Sequence, residues 1–238
     1  MDGECGAVEL LLETEHLKLS LLDQQIFHLI NQQWTHPALD LFMAAISNVN
    51  IFKPLIALLV LFALIFGGFK GRALVFCLAL AVWVNGNLTV GLLKSFVDRP
   101  RPKQVERVRM VELQKARPAF LTLFKQPSIR YSEARDRERS GPSFPSGHVT
   151  DNVTIALLLT VFYNRWGWLY FLFAFAIAWS RVYLGAHWPS DVIATFFLAA
   201  GETALLLALL DALYRRFVSK WAPQFFVRHP RLIGDAVT

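Results

Sequence analysis

Residues 73–93, ALVFCLALAVWVNGNLTVGLL, decide the fold, because this uncharged apolar run is long enough to cross a bilayer as a helix. Residues 54–68, PLIALLVLFALIFGG, form a shorter run that is also free of charge. Further apolar stretches follow at about 148–163, 167–184 and 189–210. A bilayer core takes about 20 helical residues, so the sequence predicts about five crossings.

The composition supports a membrane location for this chain of 238 residues. Hydrophobic residues make up 55% of it, and its mean hydropathy is +0.40. A soluble domain usually lies lower on both measures, so the excess apolar surface requires contact with lipid. The predicted fold is therefore all-α, a polytopic membrane helical bundle. The net charge of +6 can attract anionic lipid or phosphate, and no nucleic-acid motif accompanies it.

Three regions are predicted along the chain. Residues 1–50 form N-terminal amphipathic helices at the membrane interface, residues 51–214 the membrane core, and residues 215–238 a basic cytoplasmic tail. The amphipathic pattern places two sets of apolar residues on helical faces: Leu22, Ile26, Leu29 and Ile30, then Leu39, Phe42, Ala45 and Ile46 after Pro37. A soluble helical cap is the alternative interpretation of the N-terminal region.

Basic residues predict the orientation of the bundle. Lys70, Arg72, Arg165 and the tail fall on one side, which the positive-inside rule makes cytoplasmic. The opposite side then carries a long extracytoplasmic loop, residues 98–147, whose segment 103–141 is polar and shows few apolar periods. This loop has twelve Lys or Arg against six Asp or Glu, which conflicts with the rule. A phosphate-binding role would account for the excess.

Three sequence clusters carry reactive side chains at the ends of apolar runs: Lys94-Ser-Phe-Val-Asp-Arg-Pro-Arg101-Pro102, Pro145-Ser146-Gly147-His148, and the segment from Ser180-Arg181 through His187 to Asp191. In a bundle whose helices alternate in direction, all three clusters reach the same membrane face. Lys94, Arg101 and Arg181 are costly at that depth unless they are paired, and a tetrahedral dianion would pair with them. Asp98, Arg99 and Lys103 are interpreted as solvated residues or head-group contacts.

The other residues of these clusters favour phosphoryl chemistry. Pro145-Ser146-Gly147 opens a helix whose free N–H groups suit an anion. A neutral imidazole of His148 or His187 can attack phosphorus, and a protonated one can donate to a leaving oxygen. Asp191 follows His187 by four residues, so its carboxylate could fix the imidazole tautomer. Taken singly, each residue could instead be an interfacial anchor.

The spacing Lys94-x6-Arg101-Pro102, then Pro145-Ser146-Gly147-His148, then Ser180-Arg181-x5-His187-x3-Asp191 resembles the three-part signature of the type 2 phosphatidic acid phosphatase superfamily. That superfamily includes membrane lipid phosphatases, soluble class A acid phosphatases and vanadium haloperoxidases. The resemblance covers about residues 20–210 and implies a six-helix core, which gives five to six transmembrane helices here. It also implies a reaction that needs no metal or other cofactor.

The resemblance implies roles for eight residues. His187 would be the nucleophile that forms phosphohistidine, Asp191 would orient it, and His148 would be the general acid and later the base. The phosphate oxygens would be bound by Lys94, Arg101, Arg181, Ser146 and the Gly147 backbone. The expected location is the inner or plasma membrane, with the active site facing the periplasm or cell exterior.

The leading hypothesis is an integral-membrane phosphatase that acts on a phospholipid or an isoprenoid phosphate. By resemblance, the candidate substrates are undecaprenyl pyrophosphate, phosphatidylglycerol phosphate, phosphatidic acid and the phosphates of lipid A. One alternative is a lipid phosphotransferase that passes the phosphate to a second lipid such as lipid A. A non-catalytic membrane scaffold and a vanadate-dependent oxidase are further alternatives.

Overall fold

The computed structural model describes residues 20–138 and 140–233. It begins with helix α1, residues 20–28, which continues into a π-helical turn over Leu29–Gln33. Helix α2, Pro37–Ile46, follows at once, and the imidazole of its N-cap His36 accepts a hydrogen bond from the Ala38 backbone. The rest of the predicted N-terminal region, residues 1–19, lies outside the described residues, as do residues 234–238 of the predicted tail.

Two long apolar helices come next. Helix α3 spans Val49–Phe66 and helix α4 spans Gly68–Val84. A π-helical turn over Asn85–Val90 then leads into α5, Gly91–Val97. Only 6% of the apolar window of α3 is buried inside the protein, so almost all of its surface is left for lipid.

The second half of the bundle consists of α8, Gly147–Tyr163, α9, Arg165–Tyr183, and α10, Pro189–Trp221. Short α11, Pro223–Arg228, follows α10. The main apolar core lies where α8, α9 and the start of α10 meet the N-terminal helices, with Phe27, Val149 and Tyr183 fully buried. Tertiary packing of this kind places the ends of the three helices beside one another.

Three helical stretches of the described residues are long and apolar enough to cross a membrane: Val49–Phe66, Gly68–Val105 and Pro189–Trp221. Helices α8 and α9 have 17 and 19 residues and do not meet that combination of length and apolar character. Their bounds agree with the predicted spans to within about two residues. The polytopic, nearly all-α fold is confirmed, whereas the count of five to six crossings stays a prediction.

The polar segment 103–141, whose structure the sequence does not fix, contains short regular elements. The short helix α6, Pro102–Val105, begins it, and strands β1, Arg109–Glu112, and β2, Ser128–Tyr131, pair antiparallel with Arg109 opposite Tyr131. A 3₁₀ helix, Ala119–Phe124, lies between the strands, and α7, Ala134–Glu138, follows them. Four-residue strands among charged residues give only a weak alternating pattern, so their sequence does not reveal them.

The N-terminal helices bury other residues inside the protein than those of the predicted apolar faces. Helix α1 buries Asp23 and Phe27, whereas Leu22 is 52% exposed. In α2 the buried face includes Ala45 and Ile46, and Leu39 and Phe42 are exposed. Asp23 is buried because its carboxylate makes polar contacts with the bundle. Whether the exposed apolar residues contact lipid stays a prediction.

A buried polar cluster fixes the hairpin formed by β1 and β2 to the helical bundle. The Arg109 guanidinium donates to Asp40 through Nη2 at 2.7 Å, and the Tyr183 hydroxyl donates to the other oxygen of Asp40 at 2.6 Å. The side-chain amide of Asn31 donates to the carbonyls of Arg109 and Tyr183 at 3.0 and 2.7 Å. We call Asn31, Asp40, Arg109 and Tyr183 the hairpin anchor. It holds β1 against the end of α9.

Candidate active site

The structure brings the three predicted clusters together at one end of the bundle. Ser47 contacts His148 through its carbonyl oxygen and Arg181 through its hydroxyl. The His187 backbone N–H donates to the Arg181 carbonyl at 3.2 Å, and Arg101 Nη1 donates to the carbonyl of the adjacent Ala186 at 3.3 Å. The two histidines, Arg101 and Arg181 therefore lie in a single site, and the positive charge of Lys94 acts on both imidazoles. The prediction that these clusters share one face of the bundle therefore agrees with the geometry.

His187 lies in the loop between α9 and α10 and is only 2% exposed. Gly185 turns this loop with φ +70°, and a Cβ there would lie 3.0 Å from Val108 Cγ2, so the hairpin packs directly against the turn. Nδ1 of the ring lies 3.5 Å from Ser143 Oγ. Burial, followed by the charges of Arg181 and Arg101, lowers the pKa of His187 well below its usual range, so the imidazole is neutral.

Asp191 does not contact His187 as its four-residue spacing predicts. Its Oδ2 accepts hydrogen bonds from Ser143 Oγ and, at 3.1 Å, from the Trp188 backbone. Its Oδ1 accepts from Arg99 Nη1 at 2.7 Å. The carboxylate turns back because Asp191 occupies the first turn of α10, where it satisfies a free N–H group. Ser143 therefore lies between Asp191 and His187.

His148 lies in the first turn of α8, and its Nε2 is 3.2 Å from the carbonyl oxygen of Ser47. A carbonyl oxygen can only accept, so Nε2 carries a hydrogen and Nδ1 is left as the nitrogen that can exchange a proton. Ser47 is the C-cap residue of α2, so the N-terminal helices take part in orienting this imidazole.

Arg181 has no carboxylate partner within the described part of the chain. Its Nη1 donates to Ser47 Oγ, and its Nε is buried without any hydrogen-bond partner there. A guanidinium N–H that is buried and unpaired is costly, because it has lost water and gained nothing in exchange. Arg181 Nε is therefore an open donor in the site.

Arg101 and Lys94 complete the positive charge of the site. Arg101 Nε donates to the Gly141 carbonyl at 2.9 Å, and Nη1 donates to the Ala186 carbonyl at 3.3 Å, so the loops before α8 and α10 hold its guanidinium in place. Lys94 lies in the last turn of α5 and is partly buried. The described residues contain no ion pair of either cation with a carboxylate.

Ser146 and Gly147 stand at the start of α8. The Ser146 backbone N–H donates to Thr195 Oγ1 at 3.0 Å, whereas its hydroxyl oxygen is buried and has no partner among the described residues. A Cβ at Gly147 would meet no atom within 4 Å, so open space lies beside this helix start. An unpartnered hydroxyl and an open helix N-terminus together suit an oxyanion.

Sequence reasoning missed several residues that shape the site, namely Asp23, Ser47, Arg99, Ser143 and Ser190. The interpretation of Arg99 as a solvated or head-group residue is wrong, because its guanidinium pairs with Asp23 and Asp191. Asp23 is 5% exposed, and the only signal for it was a carboxylate among apolar residues of an amphipathic helix. Ser47 and Ser143 gave no signal of their own.

No group of three or more His, Cys, Asp or Glu residues in the described ranges is arranged to hold a metal ion. The side chains around His187 and His148 are mainly cationic, which suits an anion rather than a cation. Metal independence of the reaction stays a prediction.

By its fold and its site, the protein is a nearly all-α membrane protein with buried hydrogen-bond donors that suit an oxyanion. Residues 70–215 match the PAP2 superfamily. This match covers more than half of the chain, and the chain belongs to that superfamily.

Relatives and solved structures agree with this membership. Lipid A 4'-phosphatase of Bacteroides thetaiotaomicron is 27% identical over 180 residues, which are 74% of this chain and 71% of that protein. The bacitracin transport permease protein BcrC of Bacillus licheniformis is 39% identical over 90 residues, and the putative undecaprenyl-diphosphatase YbjG of Escherichia coli is 50% identical over 52. These two alignments span 38% and 26% of the relatives' own lengths.

Among solved structures, LpxE of Aquifex aeolicus has a TM-score of 0.54 and 27% identity, over 79% of this chain and 95% of that one. A PAP2-type phosphatidylglycerolphosphate phosphatase of Bacillus subtilis has a TM-score of 0.55 and 19% identity, over 84% of this chain and 89% of that one. The second likeness is one of fold alone.

Proposed function

We propose that the protein is an integral-membrane phosphatase that removes a phosphate from a lipid through a phosphohistidine on His187. The observation that carries this proposal is a pair of unsatisfied buried donors beside three cations that lack an ion pair. Arg181 Nε and Ser146 Oγ are buried with no hydrogen-bond partner in the described ranges, and Lys94, Arg101 and Arg181 form no ion pair with a carboxylate of those ranges. A phosphoryl group would supply acceptors to the two donors and a counter-charge to the three cations.

The first chemical step follows from the orientation of the two imidazoles. The Nδ1 side of His187 faces Ser143, so Nε2 is left to attack phosphorus. A P–N bond forms while the P–O bond to the lipid breaks, and the leaving oxygen takes the Nδ1 proton of His148, which has to be doubly protonated at this point, a form that the negative charge of the bound phosphate would favour. The low pKa of His187 supports this role, because the attacking imidazole has to be neutral.

The second step returns the enzyme to its starting state. His148, now neutral, accepts a proton from water as the water oxygen attacks the phosphorus of phosphohistidine. The P–N bond breaks, inorganic phosphate leaves, and His187 is neutral again. Arg101 and Arg181 would stabilise the negative charge on the phosphoryl oxygens in both transition states.

The proposed substrates are membrane lipids that carry a phosphate or diphosphate. The relatives support this class, since their names refer to lipid A and to undecaprenyl diphosphate. Lys103 lies outside the signature, and the positive charges of Arg101 and Arg181 act on it. This additional cation supports a head group with more than one phosphate.

The proposed location is the inner or plasma membrane, with the site facing the periplasm or exterior. Lys70 and the described part of the basic tail lie at the end of the bundle opposite to His187, because they stand at the other ends of α4 and α10. Labelling of single cysteines at Lys220 and Lys125 with a membrane-impermeant reagent tests this orientation. The expected result is labelling of the Lys125 position alone in intact cells.

Phosphate release by the purified protein tests the proposed activity. The assay contains EDTA and one of the four candidate lipids, and it compares the wild type with His187→Ala and His36→Ala. His36 is an exposed histidine outside the site, so its variant controls for a general effect of losing an imidazole. The expected result is release by the wild type and His36→Ala and none by His187→Ala, with lipid A and undecaprenyl pyrophosphate among the substrates.

Other outcomes of this assay would change the account. Equal release by His187→Ala would overturn the assignment of the nucleophile. Release that EDTA abolishes would overturn metal independence. Release only when a second lipid is present as acceptor would favour the phosphotransferase, because the same phosphohistidine can pass its phosphoryl group to a lipid hydroxyl or phosphate.

A further inference from the structure

Two buried carboxylates from distant parts of the chain share one guanidinium. Arg99 Nη2 lies 2.6 Å from Asp23 Oδ2, and Arg99 Nη1 lies 2.7 Å from Asp191 Oδ1. The side chains of Asp23 and Asp191 are almost completely buried, at 5% and 0% exposure. Asp23 belongs to α1, which lies outside the segment that matches the superfamily. Through its two ion pairs, Arg99 thus links the N-terminal helix α1 to the first turn of α10.

Ser190 completes the contact between α1 and α10. Its backbone N–H donates to Asp23 Oδ1 at 2.8 Å, and its hydroxyl donates to Asp23 Oδ2 at 2.6 Å. Arg99 Nη1 donates in turn to Ser190 Oγ at 2.7 Å. The first N–H groups of a helix have no partner within the helix, so Asp23 acts as a capping carboxylate supplied by another helix.

From Asp191 the contacts continue to the imidazole of His187. Asp191 Oδ2 accepts from Ser143 Oγ, and Ser143 Oγ lies 3.5 Å from His187 Nδ1. Arg99 also fixes Ser143 directly, because its backbone carbonyl accepts the Ser143 N–H at 2.6 Å. Asp23, Arg99, Asp191 and Ser143 therefore form one series of contacts that ends at His187.

We propose that Asp23 and Arg99 are positioning residues that hold Asp191, Ser143 and the start of α10 in the geometry in which His187 can attack. This inference rests on the proposed function. Neither residue touches the phosphoryl group, and their effect passes through Asp191 and Ser143. The N-terminal helix is on this view a part of the active site rather than only a membrane-surface element.

The physical reason lies in the shared guanidinium. A planar fork that donates to two carboxylates fixes the rotamer of each of them. Without it, Asp191 would be a buried anion supported only by Ser143 and a backbone N–H, and it would turn or take up a proton. A shift of about 1 Å in a reacting group can slow a reaction by roughly 100-fold.

The test compares Asp23→Asn, Arg99→Gln and Arg99→Lys with Glu106→Gln as a matched control. Glu106 pairs with His28 of α1 at 3.1 Å, so it connects the same helix to the neighbouring segment without touching Asp191. We expect kcat to fall between roughly tenfold and 100-fold in Asp23→Asn and Arg99→Gln, with KM changed by less than about threefold. Glu106→Gln should keep kcat within about twofold, since its contact with His28 is partly exposed.

Three further readouts separate a positioning role of Asp23 and Arg99 from a role in packing alone. Arg99→Lys should recover part of kcat, because an ammonium can pair with only one of the carboxylates at a time. The double variant Asp23→Asn with Arg99→Gln should be no slower than Arg99→Gln alone, because both changes break the same series of contacts. Hydrogen exchange of the backbone at residues 187–191 should become faster in Arg99→Gln, and this readout does not depend on activity.

The result that overturns the inference is a lower unfolding midpoint with unchanged kcat and unchanged exchange at residues 187–191. In that case Asp23 and Arg99 would only hold α1 in place. Failure of the proposed function is a different result, since the wild type would then release no phosphate from any lipid. Wild-type release together with equal kcat in Arg99→Gln would overturn only the positioning role.

Discussion

Arg109 and Arg181 each have one buried nitrogen without a partner in the described residues, but only Arg109 is paired with a carboxylate. Arg109, in the hairpin anchor, donates to Asp40 at 2.7 Å, and Asp40 in turn accepts from Tyr183. Arg181, in the candidate site, donates to the neutral Ser47 hydroxyl, and the described residues supply no carboxylate to it. The two regions are close in the fold, because Tyr183 follows Arg181 by two residues on α9.

The difference separates a structural cation from one that awaits a ligand. Folding an unpaired charge into a protein is unfavourable, so a pair such as Arg109 with Asp40 is needed where the cation only joins two elements. Arg181 is folded without a paired carboxylate, which is unfavourable for stability. Binding of an anion to its guanidinium would offset this unfavourable free energy. A buried guanidinium without a carboxylate is therefore stronger evidence for a binding role than its presence in a sequence motif.

The largest effect is expected at His148, which shares the Ser47 contact with Arg181. His148→Ala should lower kcat by about 10²–10⁴-fold for a lipid phosphate, because the leaving oxygen then lacks its proton donor. With p-nitrophenyl phosphate, whose leaving group needs little protonation, a phosphoenzyme should still form. Rapid-quench assays of both substrates measure this, and an equal loss with both would contradict the general-acid role.

The next effect concerns the hairpin anchor. Arg109→Met should lower the free energy of unfolding by about 3–5 kcal/mol, because it leaves Asp40 buried without its cation. Thermal unfolding in detergent measures the change, and Arg109→Met combined with Asp40→Asn should recover part of it. An unchanged unfolding midpoint in Arg109→Met would contradict the structural role of Arg109.

Arg181→Ala should give the reverse pattern. Loss of a donor to the phosphoryl oxygens should cost about 3 kcal/mol in kcat/KM, by analogy with an oxyanion donor. The unfolding midpoint should not fall, because the variant removes a buried charge that has no carboxylate partner. Arg181→Lys, which keeps the charge but not the fork, serves as the control. A large loss of stability in Arg181→Ala would contradict the distinction between the two arginines.

The smallest effect is expected at the surface of the hairpin, where Arg130 pairs with Asp136 and Glu112. Arg130 keeps the pKa of Asp136 below its usual range, so the pair stabilises the fold at neutral pH and loses this effect as the pH falls below about 4. Arg130→Gln should lower stability by less than about 1 kcal/mol, since the pair is partly exposed and screened. Urea unfolding at pH 7 and pH 3 measures this, and an equal effect at both would contradict it.

The helical membrane fold could be predicted from the sequence because lipid imposes long apolar runs that are visible in one dimension. The shared location of Lys94, Arg101, His148, Arg181 and His187 could be predicted as well. Each lies at the end of such a run, and alternating helices bring those ends together. The bounds of α8 and α9 followed from the same runs.

The supporting residues could not be predicted in this way. Ser47 and Ser143 act through a backbone carbonyl and a hydroxyl that any serine carries, so only the fold shows what they touch. Arg99 resembled a solvated charge, since nothing in the sequence near it indicates Asp23 as a partner 76 residues away. The direct contact of Asp191 with His187 was expected from helical spacing, but His187 lies before α10 begins, where that spacing does not apply.

Trapping a phosphoryl group on His187 would show whether this residue is the nucleophile. The purified protein is mixed with lipid labelled in its terminal phosphate, quenched in alkali within milliseconds, and digested for mass spectrometry. The account predicts an alkali-stable, acid-labile phosphate on the peptide that contains His187, and none in His187→Ala. Label on another residue, or rapid phosphate release by His187→Ala, would contradict the account.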